Sequence, residues 1–192
     1  MGTSKSQPSP RTPNWRAAQL AYTDPTVSID RAVQEIWRAA TNQPSGDLAE
    51  LLREPAIAEC FAVASAEPTR ESAVDAVSRH VAALGTSSLA LVIAQRAVAQ
   101  SYGQPNPVAA FTASLFGEAG NYLVSRDLPG FVGPDGRAKT ASESLALKAA
   151  IRERVSTRAA EITPPRQRAL ADAWPDYVSE VVGHLRKAGG ER

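Results

Sequence analysis

The stretch that decides the fold, residues 29–40, reads IDRAVQEIWRAA. Its apolar side chains recur at intervals of three and four residues, which places them on one face of an α-helix. That face is predicted to carry Ile29, Ala32, Val33, Ile36, Trp37 and Ala40. The opposite face is predicted to be polar and to carry Arg31, Gln34, Glu35 and Arg38. The stretch therefore predicts an amphipathic helix that packs against other helices.

Helix-boundary signals follow at several points further along the chain. Gly85 is expected to end a helix in the left-handed backbone conformation. Asn106 and Pro107 form a cap and first-turn pair for another helix. Thr140 and Glu143 have the spacing of a capping box, in which each side chain binds a backbone N–H of the other residue. These signals predict that helices continue through most of the chain.

Three further patterns predict where particular helices lie or begin. Residues 88–102 are apolar nearly all round, which predicts the central buried helix. A strand at residues 89–93 is the competing interpretation, but the pattern continues with a helical period and no partner strand is evident. Thr163 with Pro164 is expected to open a helix, and Pro175 to break or kink the chain before the final one.

Composition sets the fold class and the size of the core. The chain has 192 residues, of which 43% are hydrophobic, and many of these are alanine, the best helix former. We expect an all-α protein: a single irregular multi-helix bundle over residues 14–189, preceded by a flexible tail at residues 1–13. The tail is small, polar and punctuated by prolines. Cys60 is the single cysteine and is predicted to be a buried, inert thiol.

Charge and hydropathy bear on location and partners. The 21 basic and 20 acidic side chains nearly cancel, so nucleic acid is not an expected partner. No run approaches the roughly 20 apolar residues of a membrane span, and the start lacks the apolar core of a secretory signal. We therefore expect a cytoplasmic protein with no membrane partner. Abundant alanine, and more arginine than lysine, favour a bacterial source.

Catalytic motifs are missing from the sequence. It contains no HExxH, no paired CxxC, no GxxxxGK[ST], no GxSxG and no Rossmann glycine pattern. His80 and His184 fall on separate predicted helices and lack companions for a metal site. We therefore predict a protein that is not an enzyme and that holds no metal and no cofactor.

One long irregular stretch, residues 125–139, reads SRDLPGFVGPDGRAK. Loops of this length usually have a function or are disordered. Arg126 and Asp127 stand at its start, where a structural role in fixing the loop competes with a functional one. Phe131 and Val132 form an apolar pair that would anchor a partner if exposed.

The main basic concentration consists of Arg152, Arg154, Arg158, Arg166 and Arg168. These arginines would suit a phosphate backbone, a hypothesis that predicts binding with a steep salt dependence. Glu153 and Glu161 lie among them, which favours the alternative of a solvated, ion-paired face.

The first residues, MGTSKS, are followed by a proline-containing polar stretch and then Trp15. This start matches the MGxxxS acceptor pattern for N-myristoylation, which the bacterial composition disfavours. It also resembles the MGTS-type start of the B component of the Qat anti-phage defence system. That resemblance implies that Met1 is removed and that the Gly2 amine is joined to a deazaguanine by a QueC-like partner enzyme. Thr3 and Ser4 complete the modification motif.

The resemblance leads to the hypothesis of a defence-associated accessory protein that serves as substrate and partner of a QueC-like enzyme. The helical body would dock on that enzyme or on a defence effector protein. Residues predicted to contact a partner are Trp15, Arg126, Asp127, Phe131 and Val132. The alternative is a helical interaction adaptor or complex subunit with an unmodified, disordered tail.

Overall fold

A computed structural model describes residues 13–41, 48–85, 88–127 and 136–187. In these residues the regular structure is entirely helical, which confirms the all-α prediction. The helices are α1 (Pro13–Thr23), α2 (Ile29–Thr41), α3 (Leu48–Leu52), α4 (Pro55–Ser65), α5 (Arg70–Ala83), α6 (Leu89–Ser101), α7 (Pro107–Asp127), α8 (Ala141–Ala160) and α9 (Leu170–Leu185), with a short 3-10 turn at Gln167–Ala169. Residues 89–93, for which a strand was the competing interpretation, lie within α6.

Local side-chain caps place the helix starts where the sequence predicts them. The Thr140 hydroxyl accepts a hydrogen bond from the Glu143 N–H at 3.2 Å, and the Glu143 carboxylate accepts one from the Thr140 N–H at 3.1 Å. The Asn106 side chain accepts from the Ala109 N–H at 3.3 Å and opens α7. Gly85 follows α5 with φ of +64°, the left-handed conformation that glycine adopts without a Cβ penalty.

Two of the four residues on the predicted polar face of α2 are buried, whereas Arg31 is exposed and Arg38 is partly exposed. Gln34 is 0% exposed and Glu35 only 9%, because α1 covers this side of α2 while α7, α8 and α9 pack on its other sides. Arg31 donates to the Gln34 amide oxygen at 2.8 Å and pairs with Glu35 at 2.7 Å, whereas the buried Gln34 amide nitrogen has no partner among the described residues. The prediction of a solvent-facing side is therefore wrong at these two residues.

The central helix is α7, not the stretch at residues 88–102. In α6 the Val92 side chain is 41% exposed, whereas α7 is buried from Leu115 to Gly120 between α6 and α8. Glycines make this close approach feasible. A Cβ added at Gly117 would overlap the Ser156 hydroxyl, and one at Gly120 would lie 3.0 Å from Val155 Cγ2.

The two proline expectations near the end of the chain fail for local reasons. No helix begins at Thr163, because Pro165 disfavours helical backbone at the preceding Pro164. Pro175 lies inside α9, which already begins at Leu170. So close to the start of the helix, the proline removes only its own bond to the carbonyl of Ala171, an exposed residue that water can reach.

The apolar side chains form a connected core that reaches from α1 to α9. Trp174 of α9 is 0% exposed, and its indole N–H donates to the Leu52 carbonyl at 2.8 Å, which joins α9 to α3. Within the part of the chain that the structure describes, no helix is both long and apolar enough to cross a bilayer.

Candidate functional site

The candidate site is a shallow groove of about 260 Å³ along α1 and the start of α2, here named the α1–α2 groove. It is lined by Ala17, Leu20, Ala21, Asp24, Val27, Arg31 and Glu35. α1 is the first described helix, so the groove is the part of the body nearest in sequence to the predicted modification motif. Leu20 is 60% exposed beside it, whereas Ala21 is only 6% exposed. The groove therefore combines a buried floor with an exposed apolar wall.

Arg137 fixes the end of the irregular stretch against the α1–α2 groove. Its backbone N–H donates to the Thr23 carbonyl at 2.7 Å, and its guanidinium donates to the carbonyls of Asp24 and Val27. Burial lowers the pKa of Arg137, while the nearby Asp24 carboxylate acts in the opposite direction. The turn between α1 and α2 and the return of the irregular stretch are thus joined at one place.

The two carboxylates of the groove have hydrogen-bond or ion-pair partners. The Asp24 carboxylate accepts from the Thr26 hydroxyl at 2.7 Å and from the Thr26 N–H at 2.8 Å, and these bonds hold the pKa of Asp24 below its usual value. The Glu35 carboxylate, close to fully buried, pairs with Arg31 at 2.7 Å and with Arg38 at 3.3 Å. The Asp24, Arg31 and Glu35 side chains that line the groove carry a net charge of −1, and Leu20 is its exposed apolar element.

The predicted site residues are placed as follows. Gly2, Thr3, Ser4, Phe131 and Val132 lie outside the described residues.

Trp15 lies near the start of α1, but its side chain is only 4% exposed and belongs to the hydrophobic core. Little of its ring is accessible to a partner. The exposed apolar side chain that α1 offers instead is Leu20.

Arg126 and Asp127 are the last two residues of α7. The Arg126 guanidinium carbon lies 5.2 Å from the centre of the Tyr122 ring, one helical turn earlier, which is the geometry of a cation–π contact. The contact gives Arg126 a structural role at the start of the irregular stretch.

Three arginines of the basic concentration cross-link helices. Arg154 of α8 binds Asp30 of α2 at 2.7 Å, a bond that raises the pKa of Arg154. Arg158, only 4% exposed, reaches the same carboxylate at 3.4 Å and donates to the His184 carbonyl of α9 at 3.2 Å. Arg152 binds the buried Glu118 of α7 at 2.9 Å. These contacts favour the interpretation in which the arginines form ion pairs within the protein over the one in which they bind a phosphate backbone.

Each of the two histidines lies beside a carboxylate. His80 lies 3.4 Å from Glu59, and His184 lies 2.6 Å from Glu161. Cys60 is 0% exposed, which confirms the predicted buried thiol, and burial raises its pKa to about 11. Three or more metal-ligating side chains do not converge anywhere in the described ranges.

No protein-family model, curated protein or solved structure matches this chain.

Sequence reasoning missed Leu20 and Arg137. Leu20 sits in the segment WRAAQLAY, five residues after Trp15, and on a helix of about 3.6 residues per turn this spacing places it about 140° away from the buried Trp15 face, a signal that the sequence analysis did not use. Arg137 binds backbone carbonyls, which every residue carries, so no pairing pattern in the sequence identifies its partners.

Proposed function

We propose that this chain is a non-enzymatic accessory protein of a bacterial anti-phage defence system. Its Gly2 amine, freed by removal of Met1, is the acceptor of a deazaguanine group that a QueC-like partner enzyme attaches. The observation that carries the proposal is the MGTSKS start, whose Gly2 lies thirteen residues before Trp15, the first residue with a described and buried side chain.

Chain length supports access of an enzyme to the amine. Residues 2–12 can span up to about 36 Å when extended, at roughly 3.3 Å per residue. An amino terminus has a pKa of about 8, so a substantial share is neutral and nucleophilic near neutral pH. Glycine leaves that nitrogen unhindered because it has no Cβ.

The simplest product is an amide. The Gly2 nitrogen attacks the carbon of a carboxyl group on the deazaguanine, which the partner enzyme has activated by joining it to a nucleotide. A C–N bond forms, the activating nucleotide leaves with the bonding electron pair, and the nitrogen gives up one proton. No residue of the body takes part in this step, in keeping with its lack of catalytic motifs.

Intact mass spectrometry after co-expression with the QueC-like enzyme tests the proposal. We expect the mass of the chain without Met1 plus one acylated deazaguanine, located at Gly2 by fragmentation. A Thr3→Ala variant keeps the amine and tests the motif, while Ser9→Ala, outside it, serves as the matched control. A mass that shows only Met removal, with the enzyme active on another substrate, contradicts the proposal.

The α1–α2 groove offers the surface on which the modifying enzyme would dock. Leu20→Arg places a charge on its exposed wall, and we expect slower modification. Leu145→Arg on α8 is the control, because Leu145 is similarly exposed, 67% against 60% for Leu20, but lies outside the groove. Equal modification rates in the two variants would remove the groove from the proposal and leave the acceptor role of Gly2 standing.

A helical interaction adaptor with an unmodified tail is the second candidate. It is favoured by the two strongly exposed leucines, Leu20 and Leu145, which lie on different helices. Deleting residues 2–12 separates the candidates, because the adaptor retains its biological activity without them and a modification substrate does not.

A further inference from the structure

A second concavity, distant in sequence from the α1–α2 groove, lies where the ends of α4 and α6 meet the start of α7. It has a volume of about 320 Å³, within the range of small-molecule sites. Its apolar floor consists of Phe61, Ala64 and Val98, each at most 5% exposed. Its polar rim consists of Ser65, Glu67, Ser101, Tyr102, Gln104 and Gln167. We refer to it as the α4–α6 cleft.

The hydroxyl groups of the α4–α6 cleft have already donated their protons to the backbone. Ser65 donates to the Phe61 carbonyl at 2.8 Å, Tyr102 to the Glu67 carbonyl at 2.9 Å, and Ser101 more weakly to the Val98 carbonyl at 3.4 Å. A hydroxyl has one proton and two lone pairs. These three oxygens therefore offer mainly acceptor lone pairs to a ligand.

The charges around the cleft also favour a ligand that donates hydrogen bonds or carries positive charge. Glu67 is the one side chain of its lining that is charged at neutral pH, and it is negative. α4 ends at Ser65 and α6 at Ser101, so two helix C-termini, each with partial negative charge, also meet here. The N-terminus of α7 acts in the opposite sense, but its cap residue Asn106 already occupies the Ala109 N–H. Two helix C-termini and one carboxylate thus face a single helix N-terminus in the cleft.

We propose that the α4–α6 cleft binds a small organic cation, a protonated amine or guanidinium carried on an apolar body. The apolar part lies on Phe61 and Val98, and the N–H groups donate to the rim hydroxyls and to the Glu67 carboxylate. Phe61 and Tyr102 add aromatic rings suited to a cation. The site does not depend on modification of Gly2.

Amide-resolved NMR of the full chain tests this with 2-phenylethylammonium as the ligand. Two comparison ligands of similar size, neutral 2-phenylethanol and anionic 3-phenylpropanoate, separate charge from apolar contact. A ligand this small should have a dissociation constant of about 1 mM. We expect saturable shifts at Gly103 and Gln104, with at least roughly threefold weaker binding of the alcohol and none of the anion. Equal or tighter binding of the anion, or no saturable shift at these amides, overturns the proposal.

Charge variants at the exposed rim sharpen the test without disturbing the core. Gln104 is exposed, so Gln104→Glu and Gln104→Arg are expected to fold normally while adding opposite charges. The first should tighten and the second weaken binding of the ammonium, each by about threefold. Glu67→Gln should also weaken it, whereas Glu153→Gln, the same charge change on exposed α8, should not. Identical affinities in all four variants contradict a cation site.

Discussion

Two fully buried tryptophans differ in one hydrogen bond, and the same substitution at each should therefore have different effects. Trp174 donates its indole N–H to the Leu52 carbonyl at 2.8 Å. The indole N–H of Trp37 is buried with no acceptor among the described residues. Both rings are 0% exposed. Trp174→Phe and Trp37→Phe thus remove the same atoms, one with a hydrogen bond and one without.

The magnitudes follow from the contacts. Replacing indole by phenyl empties roughly 40 Å³, which costs about 1 kcal/mol if the cavity stays open. At Trp174 the substitution also leaves the carbonyl of buried Leu52 without its donor, which costs about 1–3 kcal/mol more. The sum is about 2–4 kcal/mol for Trp174→Phe. At Trp37 the loss of an unpaired polar group offsets the cavity, so we expect no more than about 1 kcal/mol.

Urea unfolding followed by far-ultraviolet circular dichroism measures both free energies, since the tryptophan fluorescence itself changes in these variants. If the free energy of unfolding falls with urea concentration at a similar slope in the two variants, their denatured states are comparable. If Trp37→Phe destabilises the fold as much as Trp174→Phe, the hydrogen bond to Leu52 does not stabilise the α3–α9 contact and the reasoning fails.

The remaining predictions concern packing and titration. Gly117→Ala should lower the free energy of unfolding by about 1–3 kcal/mol through the α7–α8 clash, whereas Gly183→Ala, where an added Cβ meets nothing within 4 Å, should raise it by about 0.5–1 kcal/mol; urea unfolding compares them. Cys60, whose pKa burial raises to about 11, should react with a thiol reagent at pH 8 only as fast as the protein opens. Burial raises the pKa of Tyr177, so its contribution to stability is full below about pH 10 and declines as the pH rises through the folded-state pKa; Tyr177→Phe should flatten that decline in unfolding measured from about pH 8 to pH 11.

Helix boundaries were predictable because their causes are local. The capping box of Thr140 and Glu143 uses two residues three positions apart. Gly85 adopts its left-handed conformation two residues beyond Ala83, the last residue of α5, with the C-cap Leu84 between them. Neither depends on how distant helices pack. A pattern of a few residues therefore carries the information.

Burial was less predictable because it depends on which helices cover a face. Gln34 and Glu35 have ordinary surface chemistry, and they are buried because α1 lies over them and Arg31 supplies their partners. α7 is less continuously apolar in sequence than residues 88–102, because Gly117, Glu118, Gly120 and Asn121 interrupt it. Gly117 and Gly120 give it its central position by allowing α8 to approach closely.

Part of the candidate site was predictable from the sequence and part depends on how the helices pack. The acceptor motif around Gly2 is a sequence signal, whereas the groove beside Leu20 emerges only when α1 packs on α2. Trp15 shows the limit of reasoning from residue type, because a tryptophan next to a predicted tail is as suited to the core as to an interface.

The guanidinium of Arg137 binds main-chain oxygens of Asp24 and Val27 and none of their side-chain atoms. Substitutions at positions 24 and 27 that preserve the backbone leave these bonds intact, while loss of the arginine removes them together. In any set of related chains, the turn should therefore vary freely in sequence and the cation should not. Such a pattern of substitution would indicate that Arg137 depends on the conformation of the backbone in the turn and not on which residues form it.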